Sequence, residues 1–229
     1  MRLGVVIPCY KPHLPKLLRL FESIVAQTVV PDCVVVACSS VVSTDVAAVA
    51  AVFVNTPIES RVVWVLSPDR RNAAENRNAG AAVALARKMD AVTFMDADDI
   101  MHPQRCEALH RALEGRADII LHDYWDSPAD LARPFHSYDA FPIEYNCLIR
   151  APSGCAIHRL DWQRRVHHSQ VTVTRRVLER MSFPEGTVYE RREDAVFCGY
   201  VLSMAGFRNA YLPLVLSKYD EAGVWMETR

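Results

Sequence analysis

The chain has 229 residues, with 26 Lys and Arg against 27 Asp and Glu, a net charge of −1. Apolar residues make up 51% and charged residues 23%, which excludes a disordered chain and supplies a core that needs no covalent staples. The even charge balance argues against a dedicated nucleic-acid binder, which shows a strongly basic face.

The opening MRLGVVIPCYKP has too short an apolar run before Pro8 for a signal peptide. No apolar stretch approaches the ~20 residues that span a membrane. The seven cysteines (Cys9, Cys33, Cys38, Cys106, Cys147, Cys155, Cys198) are an odd number with no C-x-x-C pair. They read as buried, reduced thiols of a cytoplasmic protein rather than zinc ligands or a disulfide framework. The lack of an N-x-S/T sequon agrees.

Along the chain, the β-branched run Leu3–Ile7 predicts a strand buried on both faces. Leu14, Leu17, Leu18, Phe21, Ile24 and Val25 recur at helical spacing and predict an amphipathic helix over 14–27. Cys33–Ala37 predicts a second strand, 44–54 a helix after the cap residues Ser43 and Thr44, and Arg61–Leu66 a third strand. Asn72 and Glu75 resemble a capping box opening a helix that runs to Met89. Ala91–Met95 predicts a fourth strand. Pro103 to about Leu113 predicts a helix with Pro in its first turn, and Asp118–Leu121 a fifth strand. This alternation means β-α-β units around a parallel sheet.

The second half is less periodic. Residues 122–155 predict a long, functional loop, and 158–180 carries six arginines. Glu193-Asp194 opens a helix, with Gly206 after its end. Tyr211–Leu216 predicts a last strand that Pro213 places near an edge. No linker composition appears, so 1–229 reads as one domain: a sheet half, 1–121, and an elaborated half, 122–229.

The sharpest chemical feature is Asp96-Ala97-Asp98-Asp99, directly after a buried strand. Ligands of open parallel sheets bind beyond the carboxyl ends of strands. Clustered carboxylates there repel unless neutralised, and a hard divalent cation such as Mg²⁺ or Mn²⁺, shared with a phosphate, does this well. A solvated acidic turn is the competing reading. P-loop, dinucleotide, G-x-S-x-G and H-E-x-x-H motifs are absent, so a nucleotide would be held by metal and loops.

Four segments in order, VVIPCYKP (5–12), ENRNAGAAVA (75–84), VTFMDADDIMHP (92–103) and EDAVFCGYVLSMAGFRNAYLPLVL (193–216), resemble the inverting family 2 nucleotide-sugar glycosyltransferases of GT-A fold. The second resembles the family's A-R-N-x-G segment and the third its D-x-D motif. The resemblance implies a single α/β GT-A (nucleotide-diphospho-sugar transferase, Rossmann-like) domain with a mostly parallel sheet, 1–121 binding the nucleotide-sugar and 122–229 carrying the acceptor site and catalysis. It implies that Pro8, Cys9 and Tyr10 line the base and ribose pocket and that Arg77 contacts the nucleotide. Asp96, with Ala97 beside it, and Asp98 would hold ribose and a Mn²⁺ or Mg²⁺ ion on the diphosphate, Asp98 being the first choice as ligand. Asp194 would be the general base, with Glu193 orienting the acceptor. Two positions depart from the family pattern. Ala37-Cys38-Ser39-Ser40 stands where an acidic loop is common, leaving Ser39 or Ser40 to meet a base edge. Asp220 lies near the place of a metal-binding His and would be an oxygen ligand instead.

The function expected is metal-dependent transfer of a sugar from a UDP-, GDP- or dTDP-sugar to a hydroxyl of a glycan or lipid-linked acceptor, with inversion. A nucleotidyltransferase, a glycosidase and a catalytically decayed sugar or nucleotide-binding module are the alternatives. Tyr124, Trp125, Phe135, Tyr138, Phe141 and Tyr145 either offer faces for sugar rings or pack the loop. Ser153-Gly154-Cys155 falls at the expected floor of the acceptor pocket. The Arg-rich 158–180 is either a solvated face or a contact for acceptor phosphate or an anionic membrane surface.

Overall fold

The computed structural model describes residues 1–164, 166–189 and 191–219. The first half runs β1 (Leu3–Tyr10), α1 (Leu17–Val25), β2 (Cys33–Ser39), α2 (Ser43–Ala50), β3 (Val62–Ser67), α3 (Ala73–Ala86), β4 (Ala91–Phe94), β5 (Ile100–Met101) and α4 (Arg105–Glu114). The second runs β6 (Ile119–Trp125), α5 (Pro128–Ala132), β7 (Glu144–Tyr145), β8 (Leu148–Arg150), β9 (Ala156–His158), β10 (Thr172–Thr174), α6 (Arg175–Leu178), α7 (Glu193–Ser203) and β11 (Asn209–Lys218). The main sheet has the order β3-β2-β1-β4-β10-β6-β11-β5, with β7 on β11, and β8-β9 form a separate hairpin. Strands β3, β2, β1 and β4 are parallel, as are β6 and β11. This is the single α/β domain with a mostly parallel sheet that the alternation predicts.

Period-two alternation along β1 splits the core into two layers. Leu3, Val5 and Ile7 meet Leu17, Leu20, Phe21 and Ile24 of α1 on one face, whereas Val6 meets Ala81 and Ala84 of α3 on the other. Helix α3 begins at a full capping box: Asn72 Oδ1 accepts from the Glu75 amide (2.9 Å) and Glu75 accepts in turn from the Asn72 amide (2.6 Å). Gly80 lets this helix approach β1 closely, since a Cβ there would stand 2.5 Å from Val6 Cγ1.

One expectation holds and two are corrected. The strand containing Pro213 does lie near an edge: β11 is the last strand but one, paired with β6 along one side and with β7 and β5 only at its ends on the other. The missing N–H is tolerated because the register shifts between Leu212 and Val215, and β7 and β5 pair only with the two ends of β11. The Tyr138 hydroxyl fills the gap, accepting from the Val215 amide at 3.0 Å. Residues 122–155 are not one loop, for they hold the end of β6, then α5, β7 and β8. The Arg-rich stretch conceals β10, which enters antiparallel between β4 and β6. Several of its arginines are tied to the rest of the fold: Arg175 donates to the carbonyls of Leu85 (2.7 Å) and Met89 (3.1 Å), the exposed Arg176 bonds Asp118 (3.0 Å) and Arg164 bonds Glu144 (2.8 Å).

A polar network lies where β4, β10 and β6 meet. The fully buried Arg105 guanidinium donates to Thr93 Oγ1 (2.8 Å), His122 Nε2 (2.6 Å), and the side-chain (2.7 Å) and main-chain (2.8 Å) oxygens of Gln170. Arginine can only donate, so His122 Nε2 accepts and Nδ1 carries the proton given to the Asp123 carbonyl at 2.7 Å. Burial first, then the Arg105 charge, holds the His122 pKa well below 6.5. Burial likewise lowers those of His102, His110 and His167.

Two outcomes follow for stability. Gly80→Ala overpacks the α3–β1 contact and lowers stability by about 1–3 kcal/mol, read as a fall in Tm. The neutral histidines of the folded chain gain protons at about pH 6.5 once unfolded, so their contribution is intact above that pH and drains away below it. The Tm of the wild type falls between about pH 7.5 and pH 5.5, and His122→Gln shows a shallower fall over the same range.

Candidate active site

The carboxyl ends of β1, β2, β3 and β4 open into a cleft of about 850 Å³. Its wall is completed by the start of α3, the segment before α7 and the first residues of α7. Of the residues singled out in the sequence, Pro8, Cys9, Tyr10, Arg77, Asp96, Ala97, Asp98, Glu193 and Asp194 line this cleft. They come from four separate segments, brought together by the sheet order.

Arg77 is the hinge pin of the arrangement. It is 3% exposed, and its Nη2 bonds Asp96 Oδ1 at 2.8 Å while Nη1 bonds Glu193 Oε1 at 2.5 Å. Its guanidinium carbon lies 5.4 Å from the Phe183 ring centroid. Burial works against the charge, but Asp96, Glu193 and Asp194 outweigh it, so the Arg77 pKa is raised and the guanidinium stays protonated. Both termini of the guanidinium are thus engaged with carboxylates; contact with a nucleotide, the role the resemblance implies, would have to share them. Glu193 is likewise committed to Arg77. Asp194 beside it sits in the first turn of α7, where the helix dipole favours an acid.

The acidic turn divides its carboxylates. Asp96 gives one oxygen to Arg77. Asp98 borders the cleft at 4% exposure, with Oδ2 3.8 Å from Lys16 Nζ and 4.0 Å from His13 Nε2. Asp99 is fully buried beneath the turn. The carboxylates of Asp96 and Asp98 are hard oxygen donors of the kind that suits Mg²⁺ or Mn²⁺. His13 and Lys16 were not anticipated from sequence; the rule that sites form beyond strand ends points to the segment after β1 that carries them.

The nucleotide side differs from expectation in one residue. Ser39 is fully buried, donating to the Arg71 carbonyl (3.2 Å) and accepting from Asn76 (3.1 Å). Ser40, in the left-handed region at φ 59°, lines the cleft in its place, along with Arg70 and Arg71, which the sequence reading passed over. Tyr10 packs against His13 with centroids 4.2 Å apart. The Cys9 thiol is held protonated, its pKa raised by a hydrogen bond with Cys38 and by burial. Asp220 lies outside the described residues; its neighbour Tyr219 lines the cleft.

The loop aromatics pack instead of lining the cleft. Trp125 stacks on Phe135 at 5.8 Å and 11°, and Tyr138, Phe141 and Tyr145 lie on the core. The Ser153-Gly154-Cys155 turn rests on α7: a Cβ on Gly199 would stand 1.8 Å from the Gly154 carbonyl oxygen. A second group of ligand-type atoms, from Glu144, Cys147 and His158, lies outside the cleft within 4.8 Å of one another. Its capacity is already used in hydrogen bonds. The Asp161 amide donates to His158 Nδ1 (3.1 Å), so the proton sits on Nε2 and goes to Glu144 (2.8 Å), whose other oxygen accepts from Arg164 (2.8 Å).

Solved structures with the same fold include S. aureus TarS 1-349 in complex with UDP (14% identity, TM-score 0.67, 96% of this chain and 60% of that one). TarS 1-349 with UDP-GlcNAc aligns at 15% identity and TM-score 0.66 over 96% of this chain and 59% of that one. The mannosyltransferase PcManGT from Pyrobaculum calidifontis, in complex with GDP-Man and Mn²⁺, aligns at 17% identity and TM-score 0.61 over 95% and 56%. The chain therefore spans about 60% of the length of these proteins. No curated protein sequence matches it significantly. The profile described as Glycosyl transferase family 2 matches residues 4–209, from β1 into β11, and a match over that much of the chain makes it a member of that family.

Proposed function

We propose that the chain transfers a hexosyl or related group from a nucleoside diphosphate sugar to an acceptor hydroxyl, with inversion. The observation that carries this reading is the Arg77 bridge. One buried cation ties Asp96, at the end of β4, to Glu193, at the start of α7, so the acids suited to a diphosphate-bound cation and the acid suited to be a base face one cleft.

In this reading Pro8, Cys9, Tyr10 and Ser40 hold the nucleoside, and Asp98, with Asp96, holds Mn²⁺ or Mg²⁺. When bound, that ion supplies a Lewis acid for the charge that grows on the departing diphosphate. Asp194 takes the proton of the acceptor hydroxyl as it attacks the anomeric carbon from the face opposite the leaving group. The place of Asp194 in the first turn of α7, on the wall of the cleft, suits it to this work. Glu193 and Arg77 hold the first turn of α7 in place, which fixes the base relative to the donor, and such positioning lowers the barrier by avoided loss of entropy. The ligands of the solved neighbours, UDP, UDP-GlcNAc and GDP-Man with Mn²⁺, support a nucleotide-sugar donor. A glycan or lipid-linked hydroxyl is the acceptor class we propose. The free cysteines support a reducing, cytoplasmic setting. No helix among the described residues is long and apolar enough to cross a membrane.

Titration with UDP-, GDP- and dTDP-sugars, with and without Mn²⁺, identifies the donor, because the bound nucleotide raises Tm by mass action. With that donor, Asp194→Asn lowers release of nucleoside diphosphate by roughly 10²–10⁴-fold while nucleotide affinity stays near that of the wild type. Asp98→Ala instead weakens Mn²⁺-dependent nucleotide binding. Equal turnover by Asp194→Asn and wild type would remove the base from this scheme.

A further inference from the structure

Three acids follow β4, and the structure separates the third from the other two. The Asp99 amide donates to the Asp96 carbonyl at 3.2 Å, closing a turn in which Asp98 borders the cleft and Asp99 lies beneath it at 0% exposure. A buried carboxylate is costly without compensating partners. Here Gln170 Nε2 donates to Asp99 Oδ2, and the Gln170 Oε1 accepts from Arg105 Nη1 at 2.7 Å. The orientation of that amide is fixed by its neighbours, since guanidinium only donates and carboxylate only accepts. Gln170 therefore stands between a fully buried cation and a fully buried anion, its dipole aligned with both charges. In a low-dielectric interior such a chain of bonds is stiff and strongly directional. Arg105 is itself anchored to β4, at Thr93 Oγ1 and the Phe94 carbonyl (3.3 Å), immediately before the acidic turn. Ser169, the neighbour of Gln170, lines the cleft.

We infer that Asp99 is the anchor of the acidic turn rather than a ligand of the cleft, and that Gln170, braced by Arg105, is the positioning residue that sets where Asp98 stands. The inference rests on the proposed nucleotide and metal role of that turn, and it adds two residues, Arg105 and Gln170, that lie outside the D-x-D motif. It also gives a physical use to β10: the segment leading into that strand carries Gln170 to the underside of the turn.

The relay can be inverted without changing its charge. In the double variant Asp99→Asn/Gln170→Glu the amide and the carboxylate exchange places. The amide then donates from position 99, and the carboxylate at position 170 accepts both from it and from Arg105. Mn²⁺-dependent binding of UDP, GDP and dTDP is measured by calorimetry on wild type, both single variants and the double variant, with Tm recorded for each. Each single variant is expected to weaken nucleotide binding in Mn²⁺ by about tenfold or more, the loss carried by one buried charge-assisted hydrogen bond. The double variant is expected to recover to within about threefold of wild type, the coupling that a direct interaction shows in such a cycle. Recovery of Tm without recovery of Mn²⁺-dependent binding would show the Asp99 carboxylate to be a ligand in its own right and would overturn the inference while leaving the proposed function standing. Single variants that bind as the wild type does would also overturn it, as would a double variant that does not fold. A wild type that binds none of the three nucleotides with Mn²⁺ would overturn the proposed function and this inference with it.

Discussion

One buried guanidinium between two carboxylates is the constraint on which the cleft depends. Arg77 leaves water almost completely, a step that is unfavourable unless its charge is met. Asp96 and Glu193 meet it from distant parts of the chain, one at a strand end and the other at a helix start. Removing one partner from such an arrangement typically costs about 3–5 kcal/mol, because it leaves the remaining charge uncompensated. The β4 end and the α7 start are therefore held together as one unit. The strand-end acids cannot shift without disturbing the helix that carries Asp194.

The same logic of compensated burial repeats deeper in the sheet. Arg105 lies under the acidic turn with its bonds distributed over β4, β6 and the segment before β10. The neutral, singly oriented His122 ring follows from that neighbour. An antiparallel strand inserted between two parallel blocks would otherwise be a weak seam. The polar network gives it a specific register, with Thr172 and Thr93 hydroxyls bonded across it at 2.8 Å. Rigidity at this point is transmitted to the cleft directly, because the acidic turn begins two residues after β4 ends.

Much of the first half was legible in the sequence. Continuous β-branched runs left little choice but buried parallel strands, although β1 runs on through Pro8 to Tyr10, and the Asn72–Glu75 box formed as its spacing implies. The second half resisted for physical reasons. Thr172–Thr174 is too short to show a period and sits beside arginines that look solvated but bond to main-chain carbonyls. Pro213 pointed correctly to a place near an edge, because neighbouring strands reach only the two ends of β11. At the site, strand-end position located Asp96 and Asp98, but not that Ser39 turns under and Ser40 turns out. That depends on one left-handed residue, as the division of labour between Asp98 and Asp99 depends on which way a turn rolls.

The central claim is that the cleft gathers a divalent cation and a nucleoside diphosphate into one site. The most direct test is thermodynamic linkage: the affinity of the wild-type chain for Mn²⁺ in the absence and in the presence of saturating UDP, GDP or dTDP, whichever it binds, and the reverse titration. The account predicts that each ligand tightens the other by the same factor, as shared contact between carboxylates, ion and phosphates requires. Affinities that do not depend on one another would contradict it.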